Sequence, residues 1–101
     1  MKNKYNLKWR KLPSVTPGGK KYFYNANGKN GELFTVVWDR IKQSNALQIN
    51  GLLLGFAPDV VQAKRYFENR NEGKEVYKVK GITLLTPAAR EYCASRGIKC
   101  L

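Results

Sequence analysis

Basic and aromatic side chains interleave at three places in this sequence: Lys8, Trp9, Arg10 and Lys11; Lys20, Lys21, Tyr22, Phe23 and Tyr24; and Trp38, Arg40 and Lys42. An ammonium or guanidinium group neutralises a phosphate and releases its counterions, while an exposed aromatic face stacks on an unpaired base or a sugar. The pairing suits nucleic acid better than cations alone. Lys8, Arg10, Lys11, Lys20, Lys21, Arg40 and Lys42 are the candidate phosphate ligands, and Tyr22, Tyr24 and Trp38 the candidates for stacking or wedging. Taken singly, Trp9, Phe23 and Trp38 read first as core residues, because so small a domain needs large side chains inside. A second basic set, Lys64, Arg65, Arg70, Lys74, Lys78 and Lys80, is intermixed with Glu68, Glu72 and Glu75 and reads as salt-bridged surface.

Other chemistry is poorly provided for. The chain has no histidine, so the usual general base is missing and no Ser-His or Cys-His nucleophilic pair exists. The seven carboxylates are scattered, and the glycines do not fall into a dinucleotide or phosphate-loop spacing. Cys93, between Arg90 and Arg96, reads as a small core residue rather than a nucleophile. Cys93 and Cys100 are too few and too local for a disulfide framework, and read as free thiols of a reducing cytoplasm, with a short Cys93–Cys100 bridge left open. The expectation is a non-enzymatic protein with no cofactor and no metal.

Charge points to the partner. A net charge of +12 on 11.5 kDa implies a polyanion. It is unevenly spread: eight lysines and arginines precede Glu32, the first acidic residue, whereas residues 43–58 carry no charge at all. Nucleic acid, with DNA favoured over RNA, is the leading expectation. The alternative is an interaction module, an inhibitor or accessory subunit, that docks on an acidic protein or a host nucleoprotein complex by charge steering. An anionic membrane surface fits less well, since neither predicted helix has one wholly basic and one wholly apolar face.

The elements that must position these residues read as a single domain of 101 residues. Residues 1–6 form a basic arm, 7–71 a sheet-plus-helix core, and 74–101 a strand-helix extension. Leu7 to Leu12 alternates apolar and basic residues like a half-buried strand, and Pro13 to Gly19 breaks the chain. Residues 20–42 read as a β-hairpin around Asn27-Gly28 and Asn30-Gly31, since Asn-Gly supplies the positive φ that hairpin turns need. Gln43 to Ala46 reads as a polar connection, and Leu47-Gln48-Ile49 leads into a strand at Leu52-Leu53-Leu54, bounded by Gly51 and Gly55. Pro58 and Asp59 then open a helix that presents Val60, Val61, Ala63 and Phe67 and stops near Asn71 and Gly73. A strand over residues 75–85 and a helix from Thr86-Pro87 to Gly97, carrying Ala89, Tyr92 and Cys93, complete the chain, with Ile98 and Leu101 packing back. The predicted class is α+β: a small antiparallel sheet of three to four strands packed by one helix, with a C-terminal strand and short helix. No apolar run approaches eighteen residues, so neither a membrane span nor a secretory signal is expected, and the cytoplasm is the expected compartment.

Leu54-Gly55-Phe56, a short turn, and a helix bearing Ala63 resemble the three-stranded-sheet-plus-helix DNA-binding modules of the AP2 domain and of the integrase N-terminal arm-binding domain, as do many small phage-encoded proteins. The resemblance spans residues 7–70. This chain has Leu-Gly-Phe where that group has Leu-Gly-x-Phe, and residues 74–101 lie beyond it. It implies a protein of phage or mobile-element type whose sheet lies in the DNA major groove, with Arg10, Arg40 and Lys42 on the DNA.

Overall fold

The computed structural model describes residues 7–14, 22–40, 42–75 and 79–100. Its strands are β1 (Arg10–Pro13), β2 (Tyr22–Asn27), β3 (Leu33–Asp39), β4 (Ser44–Ile49), β5 (Leu52–Ala57) and β6 (Thr83–Leu84), with helix α1 (Val60–Glu72) before β6 and α2 (Pro87–Ser95) after it. Each strand pairs antiparallel with its chain neighbour, giving one α+β sheet in the order β1-β2-β3-β4-β5-β6.

Six strands replace the three to four that the sequence predicts, for three local reasons. Asn50 and Gly51 adopt φ values of 53° and 80°, a two-residue turn with both residues left-handed, as the right-handed twist of a tight hairpin requires. It joins Ile49 to Leu52 as a facing pair and so splits one expected strand into β4 and β5. Ser44 to Ala46, expected as a connection, is the first half of β4, with Asn45 and Ala46 buried. The two-residue β6 is held by its backbone against Gly55 and Phe56, and a Cβ at Gly55 would collide with the Thr83 carbonyl.

The β2–β3 hairpin forms as expected. Gly31, at φ 85°, closes its turn and donates its N–H to the Gly28 carbonyl at 3.1 Å. β1 is shorter than the predicted strand because Leu7 and Trp9 are held from outside the sheet. The Glu68 carboxylate accepts from the Leu7 N–H, 3.1 Å from Oε2, and from Trp9 Nε1–H at 2.8 Å. Glu68, expected to face away from the core, is therefore buried.

Gly73 ends α1 at φ 75°, as the sequence predicts, but Pro58 and Asp59, expected within its first turn, precede it: Asp59 is the cap, accepting the Gln62 N–H at 2.7 Å. The helix leaves the Ala57 end of β5 and finishes beside the β2–β3 turn, where Asn71 Oδ1 accepts the Lys29 N–H at 2.9 Å. It thus crosses the sheet diagonally. Its buried face is Ala63, Tyr66, Phe67 and Glu68, whereas Val61, expected in the core, is 53% exposed. Phe67 stacks on Phe34 at 4.7 Å between centroids and meets Tyr66 at 5.6 Å and Trp9 at 6.2 Å. Val36, Leu47, Ile49, Leu54 and Ala57 complete the floor beneath it.

At the C-terminus Thr86 caps α2 through the Ala89 N–H at 3.1 Å, and Gly97, at φ 76°, follows its end. The Lys99 carbonyl accepts the Leu53 N–H at 3.0 Å, so the chain end runs along the outer edge of β5. Cys93 is buried there, but Tyr92 and Ile98, both expected to pack, are 58% and 47% exposed, because α2 lies at the margin of the sheet rather than across it. The arm at residues 1–6, Lys20, Lys21 and Leu101, and much of the loop after Pro13 and of the strand expected after Glu75, lie outside the described residues. No described helix is long and apolar enough to cross a membrane.

Candidate nucleic-acid interface

Strand alternation decides which side chains share a face with α1. Tyr24 faces Val36 across β2 and β3, Val36 faces Leu47, and Trp38 faces Asn45 across β3 and β4. Tyr22, Tyr24, Ala26, Phe34, Val36 and Trp38 therefore stand on the helix-bearing side. The diagonal path of α1 covers Ala26 and Phe34 at one end of these strands and leaves Tyr22 and Trp38 uncovered at the other. In that corner lies a groove of about 430 Å³, lined by Tyr22, Tyr24, Val36, Trp38 and Asn45 on the sheet and by Pro58, Asp59 and Val60 at the start of the helix.

Two lysines flank it. Lys11, opposite Tyr24 in the β1–β2 register, places Nζ 4.3 Å from the Tyr22 ring centroid. Lys64, one helical turn after Val60, places its own 4.3 Å from the Tyr24 ring and 5.8 Å from the Trp9 ring. All three contacts have the geometry of cation–π attraction. Partial burial lowers the pKa of Lys64 from its ordinary value; Glu68, one turn further along, pulls it back up, and the positive charge of Lys11 pushes it down. The two ammonium groups therefore repel one another across the tyrosines, and an anion seated between them would relieve that repulsion.

Of the residues singled out by sequence, Lys11, Tyr22, Tyr24 and Trp38 come together here. Arg10 does not: it lies on the opposite face of the sheet, where Nε donates to Asn25 Oδ1 at 2.6 Å. Lys42 also reaches toward that face, 5.8 Å over the Phe56 ring, and Arg40 sits at the β3–β4 turn, where its carbonyl accepts from Gln43 Nε2 at 2.7 Å. Lys8 is exposed between Leu7 and Trp9. The helix-free face carries Leu12, Phe23, Leu33, Thr35, Val37, Gln48, Leu53 and Phe56 half-buried on it, and Asp39, Arg40 and Lys99 border a second groove there with Val37, Gln48 and Leu53.

Asn45 and Asp59, which line the groove, and Lys64, which flanks it, are not revealed as such by the sequence. Lys64 has the spacing of a surface ion pair with Glu68, and only the crossing direction of the helix brings it over Tyr24. Elsewhere, Cys93 and Cys100 are free thiols, and burial together with a hydrogen bond to Cys93 raises the pKa of Cys100. No cluster of His, Cys, Asp and Glu able to hold a metal ion occurs among the described residues. No protein-family model matches this chain, and no match is found among curated proteins or solved structures.

Proposed function

We propose that this protein binds nucleic acid without catalysing a reaction on it, using the corner groove for bases or sugars and the lysines beside it for phosphates. The observation that carries the reading is the convergence of Tyr22, Tyr24 and Trp38 with Lys11 and Lys64 on a chain of net charge +12. Arg40 and Lys42, in the turn after β3, extend the positive surface at the same end of the sheet. Two free thiols fit a reducing, cytoplasmic setting. Titration of labelled DNA and RNA at several salt concentrations tests it. Neutralising three or four phosphates gives a log–log salt slope of about −2 to −4. No binding near 100 mM salt, or binding indifferent to salt, would refute the proposal.

A second reading, docking on an acidic protein, draws on the helix-free sheet face with its partly exposed Leu12, Phe23, Val37 and Leu53. It predicts a stoichiometric partner that survives nuclease digestion and whose binding is unaffected by substitutions at Tyr22 and Tyr24.

A further inference from the structure

We infer that the groove takes unpaired bases, so that the ligand is a single strand rather than a duplex. This inference rests on the nucleic-acid reading above and narrows its substrate class.

The first argument is steric. The aromatic side chains lie on the face that carries α1, and a helix with its side chains is about 10–12 Å across. A duplex laid against this side of the sheet would strike the helix before its bases reached Trp38. A single strand, whose backbone bends and whose bases splay outward, can thread into the corner between α1 and the β2–β3 strands.

The second argument is the lining. Clefts that enclose small planar ligands commonly have volumes of about 300–1,000 Å³. The groove, at about 430 Å³, falls in that range. Tyr22, Tyr24 and Trp38 offer aromatic faces, and the amide of the buried Asn45 and the carboxylate of Asp59 border the same space. That is the combination that receives a splayed base: rings for its face, and an amide and a carboxylate for its edge. Lys11 and Lys64 stand over the two tyrosines, where the phosphates on either side of a stacked nucleotide would run.

The third argument comes from the other side of the sheet. Duplex recognition by a sheet in the major groove would use the helix-free face, whose middle presents Phe23, Val37, Leu53 and Phe56 and whose cations, Arg10, Arg40, Lys42 and Lys99, stand around its margins rather than in a row across the strands.

The test leaves the wild-type protein intact and changes the ligand. Fluorescence anisotropy is measured at about 50 mM salt with a labelled single strand of a dozen nucleotides, the same sequence as a duplex, and a strand of equal length whose central nucleotides are abasic. The expected result is that the single strand binds at least tenfold tighter than the duplex. The abasic strand should lose about 5- to 150-fold, the range for removing one stacked base. Trp38→Leu and the more exposed Tyr22→Leu should each reproduce that loss for the normal strand and leave the abasic strand unaffected, with circular dichroism confirming the fold. Equal or tighter binding of the duplex, or abasic and normal strands bound alike, overturns this inference while leaving salt-dependent nucleic-acid binding in place. Failure of all three ligands to bind overturns the broader proposal as well.

Discussion

Replacing Glu68 by alanine should strip the N-terminal segment from the helix. The Glu68 carboxylate, with the residue only 7% exposed, accepts from the Leu7 backbone N–H and from the Trp9 indole. Hydrogen bonds to a charged acceptor are worth about 1.5–3 kcal/mol each, and removing the acceptor leaves buried donors unsatisfied. The Leu7 bond is buried and the Trp9 bond only partly so. The lower end of the sum, about 3 kcal/mol, is therefore the expected loss. For a domain of this size, that lowers Tm by roughly 12–24 °C. Glu68→Gln keeps an acceptor at the Oε1 position, within reach of the Trp9 indole at 2.8 Å and the Leu7 N–H at 3.4 Å, but it carries no charge and loses the shorter Leu7 bond to Oε2, so it should cost about half as much. Urea unfolding followed by far-UV circular dichroism gives the free energies, and the near-UV signal of Trp9 reports whether its ring stays against Phe67. A loss below about 1 kcal/mol for Glu68→Ala would refute the claim that this carboxylate holds the segment in place.

The folded pKa of Lys64 is lowered, chiefly by burial. Between that value and the ordinary 10.5 the unfolded chain binds more protons, so the stability of the wild type relative to Lys64→Met should rise with pH across that window. A falling difference in thermal melts would show that attraction to Tyr24 and Glu68 outweighs desolvation. Gly55→Ala should release β6 and destabilise the fold more than Gly51→Ala, because Gly51 has open space around its Cβ position and carries only left-handed strain, worth about 1–2 kcal/mol. Equal Tm values for the two variants would contradict this. The raised pKa of Cys100, from burial and its hydrogen bond with Cys93, predicts slower alkylation by iodoacetamide at pH 8 in the native protein than in urea, and equal rates would argue against it.

The sequence reveals elements wherever one residue type performs a local task. Gly73, Thr86 and Gly97 mark helix ends by their own backbone and side-chain chemistry, and all three are found in those roles. Alternation along residues 33–42 does not decide the face of Trp38, because both sides of that strand read as partly buried; the register of β2, β3 and β4 is what puts it with Tyr22 and Tyr24. What the sequence hides are features set by a partner far away in the chain. Asn50-Gly51 is as strong a turn signal as Asn30-Gly31, but the leucine run beside it reads as the strand boundary and conceals β4. Glu68 reads as solvent-facing because its partners lie 61 and 59 residues earlier. The groove is concealed for the same reason: no spacing within α1 announces that the helix crosses the sheet diagonally and leaves one corner bare.

The meander also dictates an order of assembly. Every strand from β1 to β5 meets its partner across a neighbouring connection, so the sheet can zip from its hairpins with little loop closure, as suits fast folding. The Glu68 clasp on Leu7 and Trp9 is different, since it joins the two ends of the core only after α1 has docked. Interactions that form after the rate-limiting step slow unfolding without speeding folding. The clasp therefore acts as a kinetic lock: its removal should steepen escape from the native state while leaving the refolding rate nearly unchanged.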